Sequence, residues 1–136
     1  LGAKTSYEEP VTSIYLLISS PNEIPQNQDI RLIEARNEKQ IIGVKRWGPF
    51  TTSILELAKY NIVVHEIGGN DEVAISFLLD KEQDMNFEAS QLLYESAVVT
   101  NSKLKRYVFI LPVEQMLPII RYAKKNNVEV EHIYDY

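Results

Sequence analysis

The sequence predicts an α+β sandwich: a mainly antiparallel, mixed sheet covered on one face by about three helices. Three observations predict it. Short apolar runs alternate with period two, as half-buried strands do. Other runs carry apolar stripes at helical spacing. Polar breaks at 36–40 and 67–72 are too short for a crossover, so the strands they join read as hairpins. From 40 to 111 the order is strand, helix, strand, strand, helix, strand, the ferredoxin-like pattern. An N-terminal hairpin precedes this core, and a C-terminal helix and strand extend it.

Taken in order, residues 1–10 read as a polar lead-in to a single domain over 11–136. "VTSIYLLIS" at 11–19 is a strand with Ile14, Leu16 and Ile18 on one side and Tyr15 and Leu17 on the other. The prolines of 20–28 mark a loop. Strands follow at 30–36 and 40–47. Pro49 suits the first turn of a helix over 49–60, whose stripe is Ile54, Leu55, Leu57 and Ala58. "IVVHEI" at 62–67 is a strand, "GGND" a turn, and 72–80 a strand with Val73, Ile75, Phe77 and Leu79 inward. A second helix is expected over 86–99, capped by Asn86, with Ala89, Leu92, Leu93 and Ala97 on one side. A strand at 106–111, a helix at 113–126 and a strand at 128–135 complete the chain. Pro118 requires the third helix either to start near it or to kink.

An internal likeness crosses this scheme. With one gap, 54–67 resembles 119–133: Ile54 matches Ile119, Ala58 Ala123, Lys59 Lys124 and Asn61 Asn126. Each copy is preceded by an apolar strand and followed by a strand containing histidine.

Composition excludes several classes. At 136 residues with 45% hydrophobic content, the chain can bury about two-thirds of its unfolded surface around one core. The absence of cysteine removes disulfides, thiol catalysis and cysteine-ligated zinc. The longest apolar run, "IYLLI", is far below the roughly 20 residues of a membrane span, and no basic-then-apolar leader is read. A net charge of −5 argues against a nucleic-acid binder, which must neutralise phosphates, although "KLKRY" and "RYAKK" interleave basic and aromatic residues. Seven acidic residues against one lysine between Asp71 and Glu95 read as a solvated negative face. The compartment is not fixed by these features; the cytoplasm is the working expectation.

Chemistry-bearing residues are few. "RWGPFTTS" at 46–53 joins Arg46 and Trp47 to Thr51, Thr52 and Ser53 at a helix start, where free N–H groups can hold a phosphate or carboxylate. The simpler reading is a capped helix, with Ser53 and Glu56 at capping-box spacing. Phosphate-cradling glycine motifs are absent. His65 and His132 lie on strands without metal-ligand spacing, so no metal or other cofactor is expected; His65 is kept as a ligand candidate, on the side of Val63 and Ile67. If the internal likeness is a repeat, the two histidines occupy nearly equivalent positions. There is no "GxSxG" elbow, and Ser19 and Ser20 end a strand with no histidine nearby in sequence. Of eight tyrosines, Tyr7, Tyr134 and Tyr136 lie near the termini, where an apolar ring with a polar tip suits an interface. The functional expectation is a non-catalytic binding or protein-interaction module that self-associates or meets a protein partner through a sheet edge or the Tyr134–Tyr136 end. The alternative is a small-ligand or enzymatic domain with its pocket at the 46–53 turn.

Overall fold

The computed structural model describes residues 12–134; the lead-in, Tyr7 and Tyr136 lie outside them. Among the described residues the fold is α+β, with two α-helices and two four-stranded antiparallel sheets. The first half comprises β1 (Ser13–Ser19), β2 (Ile30–Arg36), β3 (Lys39–Lys45), α1 (Gly48–Leu57) and β4 (Val63–Ile67). The second comprises β5 (Glu72–Asp80), β6 (Gln91–Ala97), β7 (Leu104–Pro112), a 3-10 turn (Val113–Gln115), α2 (Met116–Lys125) and β8 (Glu129–Ile133). No helix among the described residues is long and apolar enough to cross a membrane.

The two halves repeat one topology. Strand order is β2-β3-β1-β4 in the first sheet and β6-β7-β5-β8 in the second, which is the same order shifted by four strands. The irregularities repeat as well. Ile33 is an extra residue between the pairs Leu32–Ile42 and Glu34–Ile41, and Leu93 is its counterpart between Leu92–Phe109 and Tyr94–Val108. His65 is extra between Leu17–Glu66 and Ile18–Val64, as Glu131 is between Ser76–His132 and Phe77–Val130. Bulges re-aim side chains locally, so two at matching places in each half extend the likeness of 54–67 to 119–133 over both whole halves.

Three expectations are corrected. The segment 86–99 is not a second helix: it holds β6, which supplies β7 with the neighbour that β2 gives β3. Its Leu92, Leu93 and Ala97 mimic a helical stripe, but strand pairing with an apolar neighbour overrides so weak a local preference. With that helix gone, the ferredoxin-like order goes too, and the described residues hold two helices rather than three. The single mixed sheet becomes two, because β4 and β5 do not pair as a hairpin. A turn at Gly68 and Gly69 joins them, with φ of 56° and 84°. The positive φ favours glycine at both positions, and a Cβ on Gly68 would stand 2.8 Å from the tip of the Ile14 side chain, which would have to shift. The Ser53–Glu56 capping box does not form, since α1 starts at Gly48 and has no side-chain cap. Pro118 falls in the first turn of α2, where its missing N–H breaks no intrahelical bond.

The buried residues form one contiguous cluster through both halves. Leu16, Ile18, Ile42, Phe50 and Ile54 from the first join Ile75, Phe77, Phe109, Leu117 and Ile120 from the second. The helices pack on each other, and each also touches the last strand of the opposite half. Polar contacts secure this crossing. Thr51 Oγ1 accepts the Ile133 N–H at 3.0 Å, while Arg121 donates to the Ala58 and Tyr60 carbonyls at 2.7 and 2.8 Å. These contacts satisfy backbone groups at the edge of β8 and beyond the end of α1, the Tyr60 carbonyl also accepting the Ile62 N–H at 2.9 Å.

Candidate functional site

The bulge in β4 builds the most chemically loaded site. Val64 and Ile67 are both buried, although they are three residues apart and a regular strand would place them on opposite faces. The extra residue reconciles them, and it turns His65 away from the core. The sequence-based pairing of His65 with Ile67 on one side is thereby corrected. The His65 ring lies between two partners distant in sequence: Nε2 is 2.9 Å from Ser19 Oγ, and Nδ1 is 2.7 Å from Glu114 Oε2. Ser19 ends β1 on the face opposite buried Ile18. Glu114 sits on the 3-10 turn, which packs beside β4.

The hydrogen-bond chemistry fixes the tautomer. An ionised carboxylate can only accept, so the proton of a neutral imidazole belongs on Nδ1, facing Glu114. Nε2 is then an acceptor, and the Ser19 hydroxyl donates to it. Ser19 and His65 open into a cleft of about 630 Å³ whose other walls are Leu17, Ile41, Glu34, Arg36, Lys39 and the Asn37–Glu38 turn. Lys39 is directly opposite Ser19 in the β1–β3 register, so their side chains leave the sheet on the same face. Arg36 pairs with Glu34 at 3.1 Å on the rim.

In the second half the equivalent ground is closed. Glu131, at the His65 position, receives two hydrogen bonds of 2.7 Å from Arg106, whose register counterpart is Lys39. Arg106 also donates to Ser96 at 3.5 Å. Hydrogen bonding by Arg106 to the charged form holds the Glu131 carboxyl below its ordinary value, and the same contact raises the Arg106 guanidinium. Further along that sheet, Lys105 donates to the Tyr107 hydroxyl at 3.2 Å and Tyr107 donates to Asp84 at 3.0 Å. The Met85 N–H, then Tyr107, lowers the Asp84 carboxyl.

Of the ligand and interface candidates named in the sequence, His65 lines the cleft and the others do not. Arg46 lies 5.7 Å from the Trp47 ring centroid. Trp47 precedes α1 at φ 63° and is 58% exposed. The Thr51 hydroxyl is turned to β8, Thr52 is exposed, and Ser53 is buried within α1. Tyr134 packs edge-on against His132, ring centroids 4.4 Å apart. The histidines are one position out of register between the halves and have different partners. Sequence reasoning set Ser19 aside for want of a nearby histidine and did not reach Glu114; they lie 46 and 49 residues from His65, and no local motif marks such distant partners. Among the described residues, no group of three or more His, Asp or Glu is arranged to hold a metal ion.

Two other surfaces bear on function. A groove of about 610 Å³ between the helices is lined by Leu55, Ile120 and Val130 with lysines at its rim. Arg121 in its wall is committed to α1 carbonyls, so the groove is a helix–helix seam. The edges of the sheets differ more. Both outer strands expose apolar side chains, Leu32 and Ile33 of β2 at 39 and 43% and Leu92, Leu93 and Tyr94 of β6 at 43, 46 and 52%, but β2 also carries Arg31, Glu34 and Arg36, whereas β6 has Glu95 as its one charged residue. Comparison with protein-family models, with curated proteins and with solved structures finds no match to this chain.

Proposed function

We propose that this protein is an interaction module that self-associates through the outer edge of β6. The observation that carries the reading is the run Leu92–Leu93–Tyr94, exposed on a strand whose outer edge pairs with no other described strand. An outer strand presents unpaired N–H and C=O groups, and proteins ordinarily blunt it with charge, proline or a bulge. β2 uses three charges. Both strands carry a bulge that leaves its extra residue exposed, Ile33 in β2 and Leu93 in β6, but β6 has a single glutamate for charge. A second copy laid antiparallel along β6 would satisfy its backbone and cover those side chains, as in other forms of strand addition. Seven residues of strand bury an area at the low end for a stable interface, so the association is weak and reversible.

Sedimentation of the purified chain from micromolar to millimolar concentration tests this. The expected result is a monomer–dimer equilibrium that Leu93→Lys removes without lowering the melting temperature. A wild-type monomer throughout the range overturns the proposal. If the dimer survives Leu93→Lys but not the paired change Tyr134→Ser with Tyr136→Ser, the contact belongs to the C-terminal end instead.

A further inference from the structure

The geometry points to a second activity, independent of self-association: Ser19, His65 and Glu114 form a nucleophilic relay that hydrolyses small carboxylic esters bound in the cleft beside β1. The bond pattern is that of a serine–histidine–acid triad, with hydroxyl on Nε2 and carboxylate on Nδ1. Such triads recur on unrelated folds and are recognised by geometry and role. Neither the fold nor the absence of a nucleophile-elbow motif therefore decides the matter.

The second half supplies the internal control. Its bulge places Glu131 on the corresponding ground, and an Arg106 ion pair fills that ground. The topology is therefore compatible with a closed, purely structural solution at this position. The first half instead has an imidazole between hydroxyl and carboxylate, opening on a cleft, at 2.9 and 2.7 Å. Those are hydrogen-bond distances suitable for proton transfer.

The cleft selects the substrate class. Leu17 and Ile41 give it an apolar wall suited to a short acyl chain. Lys39, leaving the sheet beside Ser19, brings positive charge toward the place where an oxyanion develops. In acylation the Ser19 Oγ–H proton passes to His65 Nε2 as Oγ bonds to the ester carbonyl carbon. The carbon–alkoxy bond then breaks, and the Nε2 proton leaves with the alcohol. Water repeats the attack on the acyl-serine: its proton goes to Nε2, the carbon–Oγ bond breaks, and the proton returns to Ser19 as the carboxylic acid departs. Glu114 holds the ring and balances the imidazolium; its side chain is 60% exposed, so its effect is screened and smaller than that of His65.

The test is incubation of the full chain with a fluorophosphonate probe, read by intact mass and peptide mapping, alongside release of nitrophenol from p-nitrophenyl acetate. The expected outcome is one adduct, on Ser19, absent in Ser19→Ala and formed about 100-fold more slowly in His65→Gln, with a smaller loss in Glu114→Gln. Thermal melts of each variant separate loss of chemistry from loss of fold. No adduct on Ser19 in folded wild-type protein overturns the relay. Labelling of Ser19 at an unchanged rate in folded His65→Gln also overturns it, because the serine would then react without its base. Sedimentation of the same samples shows whether the β6 contact stands or falls separately.

Discussion

The two halves solve one geometric problem in two chemical ways. Both bulge the last strand at the same register position and turn the extra residue away from the core. In the second half that residue is Glu131, clamped by a bidentate Arg106; in the first it is His65, between Ser19 and Glu114 beside an open cleft. Burial of Ile67 and Ile133 accounts for the bulges themselves. It does not account for which polar group occupies them, and the difference there is where specialised chemistry can enter.

The largest test of the comparison concerns the shared core. Phe109 meets Phe77, Phe87 and Tyr107 edge-on, with centroids 5.7–6.0 Å apart. Phe109→Ala is expected to cost about 3–5 kcal/mol, and Ile42→Val at the matching position of the first half about 0.5–1.5 kcal/mol. Since the buried cluster is continuous, both variants should still unfold in one transition by circular dichroism. Two separated transitions would show the halves to be energetically independent.

A smaller effect sharpens the contrast at the bulges. Arg106 lowers the Glu131 carboxyl on folding. A carboxyl with a depressed folded pKa adds stability that is complete above its unfolded pKa and is lost as pH falls through the folded value. The wild type should therefore lose melting temperature in the acid range below the ordinary carboxylate pKa, and Arg106→Ala should flatten part of that slope. The Asp84 cluster shifts in the same direction and leaves a residual slope in the variant. An identical acid profile in both proteins would mean that the clamp adds no stability. The smallest effect is expected at the surface pair of Lys59 with Glu56, 3.1 Å apart and exposed. Lys59→Ala should change stability by less than about 0.5 kcal/mol, and a larger change in chemical denaturation would show this end of α1 to be coupled to the Arg121 contacts.

Strands with a clean alternation were legible in the sequence: of the side assigned to β1, Leu16 and Ile18 are buried and Ile14 is half-buried, and β5 buries Val73, Ile75, Phe77 and Leu79. So was a helix starting near Pro118. β6 was not, because an outer strand exposed on both faces leaves no alternation to read, and Leu92, Leu93 and Ala97 fall by chance at helical spacing. The internal likeness held the missing information, since a counterpart of β2 is required before β7. The bulge at His65 was illegible for a different reason: a one-residue insertion in a strand has no compositional mark, yet it decides which face the side chain takes. Ser19 and Glu114 come to His65 only through strand pairing and the approach of the second half's 3-10 turn.

The exchange of edges between the halves has a consequence for assembly. Thr51 of α1 covers the backbone of β8, and the turn before α2 lies along β4. A chain ending at Ile67 would keep its own sheet and helix but lose the cover that the second half provides. Two such fragments could in principle cover each other across a symmetric interface. The Gly68–Gly69 connection makes that meeting intramolecular, at an effective concentration on the order of millimolar for a short linker. Tethering thus makes the covering independent of protein concentration.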